Sequence, residues 1–171
     1  MRLLPFLSRH RIVLTVTLLL FAVPAWAGDL PLDRATLKGV EEFTVIVEPI
    51  DPEIENAGVT SAQIRTDVEL RLRHAGIRIV DRFPSLHLLH VAVHTMKAQG
   101  THLYVFALDV AFEQEARLTR NSAIFVARPL ATWSVQAFGT IGADNLRDLR
   151  STVIDYVGRF INAYLEQNSK Q

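Results

Sequence analysis

Alternation of apolar and polar residues along the middle of the chain predicts β-strands. A first strand is expected over residues 40–48, where apolar side chains occupy every second position from Phe43 to Val47. The same alternation predicts four more strands, over residues 77–81, 86–96, 103–118 and 123–138. Such a pattern is typical of strands that bury one face of a sheet and leave the other face polar.

The run 103–118 separates its two predicted faces most clearly. Its apolar side chains fall on even positions from Tyr104 to Phe112. Its polar side chains fall on odd positions: Asp109, Glu113, Glu115 and Arg117. In the next run the apolar parity changes at Pro129, which predicts a β-bulge or an edge strand there.

A spacing of three or four residues predicts two helices. Thr60 and Gln63 form a capping-box sequence ahead of a helix over 61–75, and Gly76 is suited to its C-terminal stop. A final helix is expected over about 145–166, with Asp144 as its N-cap. Its apolar stripe is Leu146, Leu149, Val153, Val157, Phe160 and Tyr164.

Together these elements predict a two-layer α+β sandwich of βαβββα layout. The strand–helix–strand order at residues 40–81 implies a parallel crossover, so the five-stranded sheet is expected to be mixed. Both helices are expected on one face of the sheet. The single α+β domain is predicted over 40–167, preceded by a loose arm at 28–39 and followed by a frayed tail at 168–171.

Residues 1–27 have the three-part layout of a secretory signal peptide. A basic start is followed by an apolar run over 12–23, which is too short to span a bilayer, and then by Ala25-Trp26-Ala27. Cleavage is expected after Ala27. The predicted location is therefore the periplasm, and the cleaved protein is expected to have no stable membrane anchor.

Charge and cysteine content exclude several functional classes. The first 27 residues hold three of the 18 basic residues and no acidic residue, so 15 basic and 18 acidic side chains remain, a net charge of −3. A nucleic-acid binder needs a clearly basic surface, so none is expected as a partner. The absence of cysteine excludes disulfides, thiolate zinc sites and cysteine nucleophiles.

Histidines supply one candidate chemistry, that of a hydrolase or a metal-binding protein. His87, His94 and His102 would have to converge on one point, because metal–nitrogen distances are near 2 Å. His90 and His94 share one face of a predicted strand but lie about 13 Å from each other, so a neighbouring strand would have to bring in a further histidine. The alternative is a set of partly exposed histidines on the open side of the sheet.

Two further clusters are open to a catalytic or a binding interpretation. The spacing of Glu113 and Glu115 resembles that of the two carboxyl groups of a glycosidase. The alternative is that both side chains lie on the solvated face of a strand. Arg117, Arg120, Arg128 and Trp133 surround a predicted hairpin and could form a recognition patch through stacking of arginine on the aromatic ring. The alternative is that Trp133 belongs to the core and the arginines only solubilise the surface. The partner-binding residues predicted from the sequence are Glu113, Glu115, Arg117, Arg120 and Trp133.

Several short segments together resemble a group of small exported bacterial proteins of unknown function. They are Leu37-Lys38-Gly39-Val40, Arg73-His74-Ala75-Gly76-Ile77, Gln114 through Arg120, Thr132-Trp133, and Phe160-Ile161-Asn162-Ala163-Tyr164-Leu165 through Asn168. The predicted layout is also similar to anticodon-binding-like envelope domains, such as the N-terminal domain of the Tol–Pal β-propeller protein and the curli secretion lipoprotein. The resemblance implies no catalytic residues.

The function expected from the sequence is that of an exported periplasmic binding or accessory module. It would act by contact with another envelope protein or a ligand, without a catalytic site and without a cofactor. No serine-nucleophile signature and no H-E-x-x-H motif occurs in the chain.

Overall fold

A mixed five-stranded sheet forms the frame of the protein in the computed structural model, which describes residues 28–81, 87–126 and 128–169. The strands found in these ranges are β1 (Glu42–Val47), β2 (Arg78–Ile79), β3 (His87–Lys97), β4 (Leu103–Gln114), β5 (Arg117–Leu118), β6 (Asn121–Phe125) and β7 (Leu130–Gly142). The main sheet has the order β2-β1-β3-β4-β7, and β5 pairs with β6 in a separate hairpin.

The helices of the same ranges are α1 (Pro31–Ala35), α2 (Pro52–Asn56), α3 (Ser61–His74) and α4 (Asp148–Asn168). The capping box predicted for α3 is formed: the Thr60 hydroxyl accepts from the amide of Gln63, whose side chain accepts from the amide of Thr60. No helix within the described residues is both long enough and apolar enough to cross a membrane.

Strand pairing confirms the predicted fold class. β1 pairs in parallel with both β2 and β3, as the crossover through α3 requires, and the pairs β3–β4 and β4–β7 are antiparallel. The result is an α+β fold with a mixed sheet. Counting all five strands, the chain order of the two layers is βαββββα rather than βαβββα.

The core lies between the sheet and the helices α3 and α4. On β4 the buried positions Leu108, Val110 and Phe112 have the even parity predicted from the sequence. They pair with Val93, Val91 and Leu89 of β3 on one side and with Ala137, Val135 and Trp133 of β7 on the other. Val68 and Leu72 of α3 and Val157 and Phe160 of α4 belong to the same buried cluster.

Two predicted strands are divided in the structure. The run 103–118 ends as a sheet strand at Gln114, and the run 123–138 contributes β6 before Pro129 and β7 after it. The intervening residues turn back on themselves as the β5–β6 hairpin. After Pro129 the chain enters an edge strand of the main sheet, and the pairing of β7 with β4 shifts register between Phe112 and Glu113, so both the bulge and the edge position predicted for this segment are present.

The N-terminal arm is packed, and the expectation that residues 28–39 are loose is wrong. Pro31 occupies the first turn of α1, a position where the missing amide hydrogen has no cost. Asp29 is 7% exposed, and its carboxylate accepts hydrogen bonds from Trp133 Nε1 at 2.7 Å and from Arg34 Nε at 2.7 Å. Leu37 is fully buried, so the packed unit includes the arm.

The C-terminal region also differs from its prediction. Asp144 lies in a short 3₁₀ segment, Ala143–Asn145, that follows β7, rather than at the N-cap of α4. The helix extends to Asn168, whose side chain accepts from the amide of Gly39 and donates to the carbonyl of Leu37. Asn168 is therefore not part of a frayed tail.

Glu53 connects α2 to the sheet. Its carboxylate lies 2.9 Å from Lys97 Nζ and accepts a 2.7 Å hydrogen bond from the Tyr104 hydroxyl. The Lys97 ammonium, followed by the Tyr104 hydroxyl, lowers the pKa of Glu53. The same contacts raise the pKa of Lys97 and of Tyr104.

Asp29→Ala is expected to lower the free energy of unfolding by about 2–3 kcal/mol, because it leaves a buried indole N–H without its acceptor and removes the carboxylate from Arg34. Urea denaturation measures this loss. The exposed Asp155→Ala on α4 is the matched control and should change stability by at most about 0.5 kcal/mol. Equal midpoints for the two variants would show that the arm contributes nothing to the fold.

Tyr164 gives the fold a sensitivity to alkaline pH. Its hydroxyl donates to the carbonyl of Val40, and burial, with the charge of Glu41 adding to it, raises its pKa above the ordinary 10.0. This contribution is fully present below the unfolded pKa and is lost as pH rises through the folded pKa. Tyr164→Phe should be about 1 kcal/mol less stable at neutral pH, and the difference should shrink above pH 10.0 in unfolding curves.

A constant difference between the parent and Tyr164→Phe across that alkaline range would contradict this assignment. Comparing the two proteins cancels the titration of the lysines, which both carry.

Candidate functional site

The side of the sheet opposite α3 and α4 is called here the open face. Successive side chains of a strand point to opposite sides, so the neighbours of the buried positions Leu89, Val110 and Val135 in each strand belong to it. Its side chains include Ile46, Glu48, His90, Ala92, His94, Met96, Leu103, Val105, Ala107, Asp109, Glu113, Gln136, Phe138 and Thr140.

One end of the open face is apolar and exposed. Met96 is 68% exposed and Phe138 76%, and Leu103 and Val105 are also exposed. Met96 pairs directly with Val105 across β3 and β4, and Phe138 pairs with Ala107, diagonally beside Val105. We call Met96, Leu103, Val105 and Phe138 the apolar patch.

The apolar patch was missed by the sequence interpretation, although the chain carries a signal for it. Residues 103–107 are apolar at both parities, so this part of β4 has no polar face. Phe138 breaks the odd parity of the buried residues in β7 in the same way. Large apolar residues on the parity opposite to the core are the pattern that indicates such a patch.

The middle of the open face holds a carboxylate–histidine cluster, defined by Glu48, His90, His94 and Glu113. His90 Nε2 lies 3.0 Å from Glu48 Oε1, and His90 Nδ1 lies 3.5 Å from Glu113 Oε1. His94 Nε2 is 3.7 Å from the other oxygen of Glu48. Two carboxylates flank one imidazole, so the cluster can hold a proton on either ring nitrogen of His90 and presents negative charge when the histidines are neutral.

The three histidines that the metal-binding alternative requires to converge lie apart. His94 is on the open face, whereas the His87 ring lies on the helix side, 6.3 Å from the ring of Phe112 and stacked on it. His102 is exposed in the connection between β3 and β4. Among the described residues no group of three histidine, aspartate or glutamate side chains could hold a metal ion. This geometry does not favour the metal-binding alternative.

The predicted partner-binding residues fall in three environments. Glu113 lies on the open face within the carboxylate–histidine cluster. Glu115 lies beyond the end of β4 and pairs with Arg117 Nε at 3.5 Å, and Arg120 is exposed in the turn of the β5–β6 hairpin. Because β4 ends at Gln114, Glu113 and Glu115 do not share a strand face as the glycosidase spacing would require.

Trp133 is a core residue, so the expectation that it takes part in a surface recognition patch is wrong. It is 1% exposed and packs on the helix side of the sheet against Phe160, at 5.3 Å between ring centroids. Trp133 occupies an odd position of β7, as do the other buried residues of that strand, Val135 and Ala137. Its indole N–H is bound to Asp29 and is not available to a partner.

Asp109 occupies the centre of the open face, between Ala92 of β3 and Gln136 of β7. Within the described part of the chain its Oδ1 atom is out of contact with solvent and accepts no hydrogen bond. A carboxylate oxygen that has lost its hydration without gaining a donor is destabilising. A donor added at the middle of the open face would therefore be stabilising.

Three surface depressions lined by described residues lie away from the open face. One lies between α3 and α4 and is lined by Arg71, His74, Ala75, Gly158, Ile161 and Asn162. Another, of about 330 Å³, lies between α1 and the end of α4, and the third lies beside Asp67 and Arg150. None of the three includes the apolar patch or the carboxylate–histidine cluster.

Comparison with known proteins gives little beyond this geometry. No family model matches the chain, and no curated protein matches it. Among solved structures, a PelC dodecamer from Paraburkholderia phytofirmans is similar at 15% sequence identity and a TM-score of 0.42, over 76% of this chain and 88% of that one. A likeness at this level carries no argument about function.

Proposed function

We propose that this protein is an exported periplasmic accessory module that binds another envelope protein through the open face of its sheet. The observation that carries the proposal is the apolar patch: four exposed apolar side chains lie together on β3, β4 and β7. Contiguous exposed apolar surface rimmed by polar groups is typical of protein–protein contact sites.

The energetics of the patch support this use. Covering apolar surface yields about 25 cal/mol per Å², so a long exposed side chain such as Met96 gains about 1.5–3 kcal/mol when a partner buries it. The strands that carry the patch are held in register by backbone pairing along their length. Little order has to be gained on binding, which favours affinity.

The polar surroundings of the patch define the partner's chemistry. Glu48 and Glu113 place carboxylates beyond the patch on the open face, and Arg117 and Arg120 lie on the hairpin that follows Glu113. A complementary partner would place apolar residues on the patch and basic side chains over the carboxylates. The proposal assigns no catalytic step to the carboxylate–histidine cluster.

The export part of the proposal rests on the sequence, because residues 1–27 lie outside the described residues. The described packing supports the cleavage position. Gly28, the residue after the expected cleavage site, already belongs to the folded unit, since its carbonyl accepts a 2.8 Å hydrogen bond from the amide of Ser134. Cleavage after Ala27 would leave this contact in place.

Mass spectrometry of the protein recovered from a periplasmic fraction should give Gly28 as its first residue. An intact chain beginning at Met1 in that fraction would contradict the export proposal.

Met96→Glu should weaken binding to the partner at least about 10-fold, the equivalent of 1.4 kcal/mol, because a carboxylate would replace a buried apolar contact. The partner is first identified by co-purification from the envelope and mass spectrometry, and binding of the purified pair is then measured by calorimetry. Leu32→Glu is the matched control, since Leu32 is 84% exposed on α1, away from the open face. This control should change the dissociation constant less than about twofold.

Equal effects of the two variants would place the partner site elsewhere. The double change Glu113→Lys with Glu115→Lys tests the charged end and should lower the affinity. Its effect on stability should be small, because Glu115 is exposed and Glu113, although partly buried, lies only within 3.5 Å of His90.

A further inference from the structure

The two edges of the main sheet differ in their protection against pairing with another strand. The edge strand β2 has two residues, of which one is the charged Arg78, and Asp81 follows it. The other edge, β7, has 13 residues and contains neither a charged residue nor a proline from Leu130 to Gly142. Short length, charge and proline are the usual devices that block edge-to-edge association, and β7 has none of them.

The backbone groups of β7 that point away from β4 can be identified from two hydrogen bonds. The amide of Ser134 donates outward to Gly28, whereas the amide of Ala143 donates inward to His102. Backbone groups alternate in direction along a strand, so those of Gln136, Phe138 and Thr140 point outward with Ser134. None of these three outward positions forms a hydrogen bond at this edge within the described residues.

We propose that residues 136–140 of β7 pair antiparallel with the same residues of a second copy of this chain. The two-fold axis passes through Phe138, so Phe138 faces Phe138 of the second copy and Gln136 faces Thr140 of the second copy. The two main sheets become one continuous sheet. Two-fold dimers, whose contact is isologous, are the commonest homo-oligomers.

Self-complementarity is the reason to assign a second copy as the occupant. This register pairs the three outward positions with one another. Ser134 would face Gly142, the last residue of β7 in the second copy, so the pairing stops at Thr140, because the Ser134 amide is already bound to Gly28. No charge meets a like charge, because β7 carries none. The ring of Phe138, which is 76% exposed in the single chain, packs against its counterpart across the axis.

The dimer leaves the open face accessible, because the axis runs perpendicular to the sheet and the open faces of both copies lie on the same side. The dimer contact shares Phe138 with the apolar patch but does not rest on the proposed function, and Met96, Leu103 and Val105 of the patch stay uncovered. Met96 lies on β3, separated from the β7 edge by β4, so Met96→Glu should weaken binding of the partner without changing self-association.

The register is tested by charges placed on the facing positions. Gln136→Lys with Thr140→Lys puts lysine opposite lysine across both pairs, and Gln136→Lys with Thr140→Glu puts lysine opposite glutamate. Within one copy the two positions are about 13 Å apart, so their mutual effect there is small. Sedimentation velocity of the purified protein, up to about 100 µM, measures the mass of the parent and of both variants.

The parent and the Lys–Glu variant should be dimers, and the Lys–Lys variant should have a dimer dissociation constant at least about 10-fold higher. Gln136→Pro, which removes one outward amide but no hydrogen bond to β4, should also be monomeric, whereas Gln136→Ala should remain dimeric. A monomeric parent at the highest concentration, or equal dimerisation of the two charge variants, would overturn the proposal. Circular dichroism and melting temperatures confirm that each variant is folded.

Discussion

Phe160 is the contact on which the two layers depend. Its ring packs against Phe43 of β1, Phe112 of β4 and Trp133 of β7, with centroid distances of 5.5, 5.4 and 5.3 Å. One side chain of α4 thereby reaches three strands of the sheet, including one at its edge. Large aromatic side chains dominate the energetics of a core of this size. Because Phe160 fixes which face of the sheet is inside, it also determines which face is left open.

The sequence is sufficient for those parts of the fold that depend on local periodicity. The even parity of β4 identified its buried side, and Thr60, Gln63 and Gly76 marked the ends of α3 because capping depends on neighbouring residues. The packed N-terminal arm could not be predicted in this way. Asp29 is buried because its carboxylate binds the indole N–H of Trp133, which lies 104 positions later in the chain. A pattern among neighbouring residues cannot predict such a long-range contact.

The candidate site was predictable to a smaller extent. Glu113 was placed correctly on the open face, since strand parity decides it. Glu48 and His90 come together because β1 pairs in parallel with β3. This pairing joins segments far apart in the chain, so local periodicity could not predict it. Trp133 was assigned to a surface patch because arginines surround the predicted hairpin, although it shares the odd parity of Val135 and Ala137, which are buried.

Contacts between the first and last described elements affect the order of folding. Arg34 of α1 binds Glu166 of α4 across 132 positions, and the side chain of Asn168 binds the carbonyl of Leu37 across 131. The chain loses conformational entropy when such a long loop closes, before the contacts that stabilise the closed loop have formed, and this makes folding slow. The N-terminal arm therefore cannot reach its final packing until α4 has been synthesised. Until then Arg34 and Leu37 lack the partners that the last two turns of α4 supply, so the start of the folded unit is anchored by its end.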